Sequence, residues 1–422
     1  MEESANNEDL VKVIRNKIQI REPKSSTECR IYRVPYRLRK WNKEAYTPHI
    51  ISIGPFHRDN STLKKMEECK AIYLKNYIER TKLKLEDLVS DIRDQEESIR
   101  SCYAENVDQL GSDDFVKMIL FDASFILELF HKYYLSDWKS GDPILAVPPL
   151  RDALRFDLLL LENQLPFFVI ERLFKLSSQF HQNRTTLIKL SLVFFACYKI
   201  QEINLTSKLK IEHFTDLLRT FLLPPPSKLE PPNKDRKLIK HLYSATQLRE
   251  AGVKFKVGSS DCCFLDIKFK KGVLEIPCLV LFHDTEALVR NVMALEQTHY
   301  IENKIITHYF LILDFLINTT QDVNLLCDKK IMVNYLGDNR AARTMVNKLN
   351  KGINYTGNIL ESLTTDYYNL CKGLNEFYDE PWHSWMATLR HDYFCSPWRT
   401  VSTIAAVILL VLTFIQTIFS IP

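Results

Sequence analysis

The side chains best suited to acid–base chemistry lie in one apolar stretch, DALRFDLLLLENQLPFFVIERLF. Asp157 and Glu162 are candidates for an acid–base pair, but a spacing of five residues on one helix points them apart. Pro166 disfavours helical dihedrals at the residue before it, so we predict that a first helix ends near Gln164 and a second begins at the proline. Glu162, Asn163 and Gln164 then stand at a helix junction. We expect them to satisfy backbone groups exposed at the helix ends, and a catalytic carboxamide–carboxylate pair is the alternative.

The other spacings that indicate catalysis or cofactor binding are missing. The ten glycines never stand at the G-x-G spacing of a dinucleotide site, and the phosphate-binding loop, G-x-S-x-G and H-E-x-x-H are also absent. None of the ten cysteines forms a C-x-x-C pair, so we expect reduced, mostly buried thiols. The sequence therefore predicts no catalytic residue, no cofactor and no metal. An unrecognised hydrolase or transferase with a novel site is the alternative.

One basic segment, RIYRVPYRLRKWNK, is the strongest candidate for contact with lipid headgroups or with a protein partner. It contains no acid, and aromatic residues are interleaved with the basic ones. The basic residues are Arg30, Arg33, Arg37, Arg39, Lys40 and Lys43. Next to a membrane, each such group contributes about 1 kcal/mol of attraction to anionic headgroups. An acidic protein partner would attract the segment in the same way, and a solvated segment paired with the protein's own acids is the plain alternative.

The C-terminal stretch is apolar enough to cross a membrane. No charged residue occurs from Thr400 to Pro422, and a helix of about 20 residues spans a hydrocarbon core of about 30 Å. We predict one transmembrane span over 400–422. Its membrane-spanning positions include Val401, Ala405, Leu410, Phe414 and Ile421. A buried core helix is the alternative, although a soluble helix of this length usually carries a charged face.

The orientation of this span follows from its flanks. Arg390, His391 and Arg399 precede it and no charge follows it, so the positive-inside rule predicts that the bulk of the protein faces the cytosol. The N-terminal residues from Met1 to Asp9 are acidic and lack the apolar core of a secretory signal. We therefore expect a single-pass protein of the plasma membrane or an endomembrane.

The composition is that of a globular protein. The chain has 422 residues, of which 46% are hydrophobic and 26% charged, which excludes a mostly disordered chain. Fifty-six basic residues against fifty-two acidic ones leave a net charge of only +4. This balance argues against a nucleic-acid binder, because such proteins usually carry a larger basic excess.

Hydrophobic periodicity predicts a mainly α-helical α+β fold with two lobes. Helices are expected over 61–82, 84–103, 114–135 and within 285–317, where Asp314 indicates a core helix rather than a span. Alternating runs on either side of Lys271-Gly272 predict a β-hairpin in the second lobe. We divide the chain into a peripheral N-terminal segment (1–28), a helical lobe (29–221), a Pro-rich linker (222–236), a second lobe with the hairpin (237–399) and a transmembrane tail (400–422).

Seven blocks of the sequence carry a family resemblance. They are IYRVPYRL (31–38), YTPHIISIGPFH (46–57), FDLLLLENQLPFF (156–168), SATQLREAGVKF (244–255), GVLEIP (272–277), RNVMALEQ (290–297) and YFCSPWRTVS (393–402). On these blocks the chain resembles the plant "domain of unknown function 247" family. One departure is Asp122-Ala123-Ser124, where the family often has Asp-Gly-Cys, and it argues against an essential thiol at that point.

The resemblance implies a land-plant membrane protein with one C-terminal helix and no established catalytic activity, so it supplies no catalytic residue. Some members of the family are implicated in reproductive recognition. With the predicted tail, this indicates a membrane-tethered interaction, recognition or signalling component, because a tether raises the effective concentration of partners at one surface. The expected partners are the membrane and an unknown protein. The oligomeric state is not predicted.

Overall fold

A computed structural model describes residues 11–12, 30–105, 107–137, 141–178, 185–198, 210–224, 241–259, 263–353, 363–392 and 397–419. These residues are mainly helical, with two small sheets and one apolar C-terminal helix, which confirms the predicted fold class. They form two compact units. Unit 1 takes residues up to 34, 46–198 and 210–217, and unit 2 takes 35–45 and 218–419. Nearly all of the predicted peripheral segment and most of the predicted linker lie outside the described residues, and the predicted domain boundaries stay a prediction.

The helices of the first half of the chain are α1 (Tyr36–Arg39), α2 (Lys65–Thr81), α3 (Leu85–Asp94), α4 (Glu96–Ser101), α5 (Ser112–Leu135), α6 (Pro148–Asp157), α7 (Phe167–Ser178), α8 (Leu187–Phe194) and α9 (Phe214–Leu222). Short 3-10 turns cover Glu44–Tyr46, Ser61–Leu63 and Ala196–Tyr198. The second half contains α10 (Ala245–Glu250), α11 (Thr285–Thr298), α12 (Ile305–Leu316), α13 (Thr320–Asp328), α14 (Asn339–Leu349), α15 (Thr365–Asp379), α16 (Pro381–Asp392) and α17 (Pro397–Phe419). The strands are β1 (Lys254–Val257), β2 (Lys268–Lys270), β3 (Val273–Ile276), β4 (Leu279–Leu281) and β5 (Met332–Asn334).

Helix α5 is the centre of unit 1. Most of its side chains between Phe115 and Phe130 are buried, on every face of the helix, which is the pattern of a helix inside a core. Helices α2, α3, α7 and α8 pack against it. The Phe130 ring meets the rings of Phe194, Phe195 and Phe214 at centroid distances of 4.9, 5.8 and 5.5 Å, in tilted and edge-to-face geometries that aromatic rings prefer.

Two predicted helices differ from the observed ones at their ends. The helix predicted over 84–103 is two helices, α3 and α4, because Gln95 leaves the helical region with φ −105° and ψ 1°. The helix predicted to end near Gln164 ends at Asp157. The reason is that the side-chain amides of Asn163 and Gln164 donate to carbonyls at and just after the end of α6, which then need no further helical turn. The acceptors are the carbonyls of Asp157, Leu158 and Leu160, at 3.0, 2.7 and 2.8 Å.

The predicted hairpin is present in unit 2. Strands β2 and β3 pair antiparallel around Lys271 and Gly272, whose φ values of 48° and 72° form a left-handed turn that favours glycine. Strand β1 lies parallel on the other edge of β3, so the order is β1-β3-β2. The register places the fully buried Leu274 between Phe255 and Phe269. Strands β4 and β5 form a second, parallel sheet.

A buried ion pair organises the helices of unit 2. Arg219 Nε lies 3.2 Å from Glu296 Oε1, and the two side chains are 4% and 0% exposed. Glu296 also accepts the backbone N–H groups of Ile306 and Thr307, which satisfies the first turn of α12. Arg219 donates in addition to the Asn303 carbonyl at 2.7 Å. Burial raises the pKa of Glu296, and the arginine opposes that rise.

Replacing Arg219 by Met removes the cation and leaves the Glu296 carboxylate buried. We expect the free energy of unfolding to fall by about 3–5 kcal/mol at neutral pH, because an uncompensated buried charge remains. The loss should shrink in acid, since the raised pKa of Glu296 lets the carboxyl take up a proton. Chemical denaturation of the full-length protein in detergent micelles, followed by circular dichroism, measures the change.

The matched control is Lys268→Met, which removes a more exposed ion pair with Asp266, 2.7 Å away. Its effect should stay below about 1 kcal/mol, because exposed pairs contribute little. Equal losses in the two variants would contradict the role given to Arg219.

Candidate functional site

Asp157 lies in the interior of unit 1 and binds a backbone segment rather than facing solvent. Its Oδ1 accepts the N–H of His49 at 2.8 Å, and its Oδ2 accepts those of Ile50 and Ile51 at 2.8 and 2.9 Å. Burial raises the pKa of Asp157 to about 6, while the three amide bonds oppose the rise. The carboxylate thus serves as a fixed acceptor for the start of the segment 49–54.

Asn163 continues this pattern along the segment. Its Oδ1 accepts the N–H of Ile53 at 2.7 Å, and its Nδ2 donates to the carbonyl of Ile51 at 3.1 Å. A neighbouring β-strand would make the same pair of bonds, one accepted and one donated. One residue further on, Gln164 Oε1 accepts the N–H of Phe214, which belongs to the first turn of α9, at 2.9 Å.

Gly54 ends the segment at a position where only glycine fits. Its φ is 71°, and a Cβ there would lie 2.5 Å from the Gln164 carbonyl oxygen. Its N–H donates to Asp122 Oδ2 at 2.8 Å, and Asp122 Oδ1 pairs with Lys70 Nζ at 2.6 Å in the interior. Burial raises the pKa of Asp122, and Lys70 opposes that rise. Sequence reasoning missed this pair because a lysine on a charged amphipathic helix is expected to face solvent.

Glu162 is the member of the Glu162–Gln164 triplet closest to other ionisable groups. Its Oε1 accepts the N–H of Val34 at 2.8 Å, and its Oε2 lies 3.3 Å from His57 Nε2 and 3.9 Å from an Arg33 nitrogen. Both Glu162 and His57 are buried. The triplet therefore satisfies backbone groups, as predicted, but many of those groups lie far along the chain rather than at the ends of α6 and α7. The hydrolase or transferase alternative stays a prediction, and this network assigns no residue to it.

Two of the six predicted contact residues pair with acids of unit 1. Arg30 Nε lies 3.1 Å from a carboxylate oxygen of Glu212, and Arg33 Nε lies 2.7 Å from one of Glu105. The Arg33 guanidinium also lies 4.8 Å from the centre of the Phe56 ring. These contacts are the ones expected if the segment pairs with the protein's own acids. A contact of these two arginines with lipid or a partner stays a prediction.

The other four predicted contact residues lie in unit 2, on and just after α1. Together with Lys351 they form what we call the basic surface: Arg37, Arg39, Lys40, Lys43 and Lys351. Four of the five are exposed and Arg39 is half-buried. Tyr36 stands beside them with 81% of its side chain exposed.

Trp41 joins the two parts of the basic surface. The Nζ atoms of Lys40 and Lys351 lie 5.3 and 5.1 Å from the centre of its ring. Gly352, with φ 84°, packs so closely that a Cβ would overlap the Arg37 carbonyl and touch the indole. The only sequence signal for this contact is the Lys351-Gly352 pair itself, which is typical of any turn.

Helix α17 matches the predicted span. Its segment Trp398–Phe419 is 22 residues long with a mean hydropathy of 2.3, and none of it is buried, so it is long and apolar enough to cross a membrane. The hydroxyls of Thr413 and Thr417 donate to carbonyls one turn earlier at 2.8 Å, as lipid requires of polar groups. Val401, Ala405, Leu410 and Phe414 lie on this helix, and Ile421 lies outside the described residues. The other apolar helix, α12, is buried, as expected of a core helix.

Unit 2 also contains a polar cavity of about 1050 Å³ beside α10, α13 and α16. Its charged lining residues are Arg249, Glu250, Asp328 and Arg390, two of each sign, and no histidine or cysteine stands among the described residues that line it. Among the described residues, no three His, Cys, Asp or Glu side chains gather closely enough to hold a metal ion. The described cysteines are unbridged, and burial raises the pKa of Cys371 to about 12, which makes its thiol a poor nucleophile.

The raised pKa of Asp157 makes the stability of the protein depend on pH. The pKa of Asp157 is about 6 in the folded state and 3.8 ordinarily. The native protein therefore holds the carboxyl proton more tightly than the unfolded chain does. The stability that this tighter proton binding adds is complete below about pH 4 and is lost as the pH rises through about 6. Relative to Asp157→Asn, which cannot titrate, the native chain should lose about 3 kcal/mol of unfolding free energy between about pH 4 and pH 7.

Denaturation series across this pH range measure the difference. Asp152→Asn on the same helix is the control, since its carboxylate is 63% exposed and its partner Arg155 keeps a second bond, to the Phe194 carbonyl at 2.8 Å. Its stability difference from the native chain should stay within about 0.5 kcal/mol at each pH. Parallel curves for the native chain and Asp157→Asn would refute the assignment.

Comparisons with known proteins agree with the sequence blocks. A family model for a plant protein of unknown function, DUF247, matches residues 31–412. UPF0481 protein At3g47200 of Arabidopsis thaliana is 30% identical over 417 residues, which cover 92% of this chain and 85% of the relative. Putative UPF0481 protein At3g02645 of the same plant is 21% identical, over 92% of this chain and 89% of the relative. No solved structure matches the chain. Because the family model covers most of its length, the chain belongs to the DUF247 family of plant proteins of unknown function.

Proposed function

We propose that the protein is a single-span membrane protein that acts in recognition or signalling at a membrane surface. The observation that carries this proposal is α17, a helix of sufficient length that is not buried against the rest of the described fold. Exposed apolar surface of this extent is unfavourable in water, and lipid is the environment that removes the penalty. The reproductive recognition that the resemblance implies for some members is one instance of this class.

We further propose that the bulk of the protein faces the cytosol. Arg390 and Arg399 stand on the N-terminal side of the apolar stretch of α17, and the sequence after Arg399 contains no charged residue. Basic residues next to a span favour the cytoplasmic side. The predicted tail anchor and its orientation thus rest on the same short region.

The basic surface supports an acidic protein as the partner. Arginine, tyrosine and tryptophan are the side chains most enriched where proteins bind one another, and α1 presents Tyr36 beside arginines. Lys40, Lys351 and Gly352 hold the Trp41 ring in place, so this aromatic group is already ordered before a partner arrives. Anionic lipid is the alternative ligand of the basic surface, and the crosslinking experiment below distinguishes it from a protein.

Removal of residues 400–422 should release the protein from membranes into the soluble fraction. Leu410→Arg should weaken insertion by about 3–4 kcal/mol, because a central leucine favours the bilayer and a central arginine opposes it. Leu410→Phe is the matched control and should leave the protein in the membrane. Alkaline carbonate extraction measures retention, and a truncated chain that stays in the membrane would show that another segment anchors it.

Protease added outside sealed microsomal vesicles should digest the body and spare the span. The sequence offers five N-glycosylation triplets, which begin at Asn60, Asn183, Asn204, Asn318 and Asn354, and a cytosolic body leaves all five unmodified. Glycan on any of them, or a protected body, would reverse the proposed orientation.

A photoreactive amino acid in place of Tyr36 should crosslink to a protein with an acidic surface. Reversing Arg37, Arg39, Lys40 and Lys43 to Glu should reduce the yield about tenfold or more, because each exposed charge contributes up to about 1 kcal/mol and reversal adds repulsion. The control reverses four exposed lysines of unit 1, namely Lys64, Lys65, Lys82 and Lys84, with the same change in net charge. Equal losses in both variants, or crosslinks to lipid alone, would count against a specific protein partner.

A further inference from the structure

Helix α16 has one face packed against other elements of unit 2. His383 Nδ1 lies 3.0 Å from the Ala251 carbonyl oxygen, just after α10, and its ring stacks on Phe377 of α15 at 3.8 Å. Arg390 donates to two carbonyls at the end of α10, at 3.2 and 3.1 Å. Ala387, which lies between these two residues on the same face, is 4% exposed. These contacts fix the helix on the body of unit 2.

The other face of α16 is apolar and uncovered. Trp382, Trp385 and Leu389 are 68%, 74% and 42% exposed. Their spacing of three and four residues places them in one line along the helix, which we call the tryptophan stripe. At about 100° per residue, the stripe lies about 130° around the helix from the packed face. Two indole rings in water on a packed helix call for a further occupant, since tryptophan carries a large apolar area.

The stripe lies close to the start of the proposed span. Helix α16 ends at Asp392 and α17 begins at Pro397, so the linking chain can reach no further than about 18 Å even when fully extended. Trp398, at the beginning of α17, is 84% exposed and is followed by Arg399. Tryptophan and basic residues concentrate at the boundary between lipid headgroups and hydrocarbon. The surface of the bilayer that α17 would cross is therefore the nearest environment that could cover the tryptophan stripe.

We propose that the tryptophan stripe inserts into the interfacial layer of that same bilayer, so that α16 lies in the membrane plane. This inference rests on the proposed function, because it needs the span. Indole rings suit this layer, since they are apolar over most of their area and keep one N–H for water or headgroups. The packed face of α16 then holds unit 2 at a defined angle to the membrane, with two attachments instead of one.

Depth-dependent quenching of tryptophan fluorescence tests the insertion in full-length protein reconstituted into phosphatidylcholine vesicles. The changes Trp41→Phe, Trp138→Phe and Trp398→Phe leave Trp382 and Trp385 as the only emitters. Lipids brominated near the headgroup end of the acyl chain should quench this emission several-fold more strongly than lipids brominated near the chain end. The emission should also shift to shorter wavelength than in the denatured protein.

The control variant carries Phe at all five tryptophan positions and Tyr36→Trp, which places one emitter on an exposed site of α1. Its emission should show no quenching by either brominated lipid. Where Trp41→Phe lowers the melting temperature, the difference spectrum between the native chain and Trp382→Phe with Trp385→Phe reports the same depth, because both side chains are exposed and their loss leaves packing intact.

Carbonate extraction of the same samples separates the two proposals. Retained protein with unquenched Trp382 and Trp385 would overturn the insertion and leave the span standing. Protein that washes out would overturn the span and the insertion with it. A blue-shifted emission without bromolipid quenching, together with crosslinked dimers, would assign the stripe to a second copy of the chain and would also overturn the insertion.

Discussion

A buried backbone must form hydrogen bonds, and unit 1 meets this constraint with side chains where a β-strand is missing. Among the residues that the structure describes, no strand pairs with the segment 49–54, and Asp157, Asn163 and Asp122 supply acceptors and a donor that such a strand would otherwise supply. Gln164 in the same way accepts a backbone N–H at the start of α9. Because each of these polar side chains is itself buried, loss of any one would leave backbone groups unsatisfied in an apolar interior.

Features that depend on local pattern were predictable from the sequence. A sequence window of a few helical turns is enough to predict three of these features. They are the apolar residues of α5, the Lys271-Gly272 hairpin and the uncharged stretch of α17. The sequence indicates a structural role for the Glu162–Gln164 triplet but not its partners, since nothing local points from residue 163 to residue 53. The same holds for Lys351 beside Trp41, whose contact exists only after the chain has folded.

Buried ion pairs were the least predictable element, because a charged residue in sequence reads as a surface residue. Lys70 with Asp122 and Arg219 with Glu296 both hold backbone groups as well as each other, which explains how the fold tolerates them in the core. The residues predicted to contact lipid or a partner are divided between the two units. Arg30 and Arg33 pair with acids of unit 1, and the residues of the basic surface lie in unit 2, the unit that also contains α16 and α17.

The partners within the core of unit 1 are far apart in sequence, by 106 to 128 residues between segments 34–51 and the side chains of Asp157 and Glu162. At a synthesis rate of about 5–20 residues per second, the early segment leaves the ribosome about 5–25 s before its partners do. During that interval Ile50, Ile51 and Ile53 have no core to enter, and their amides donate to water instead of to Asp157 and Asn163. The nascent chain therefore exposes apolar side chains before their core exists, which is the condition that favours aggregation during synthesis.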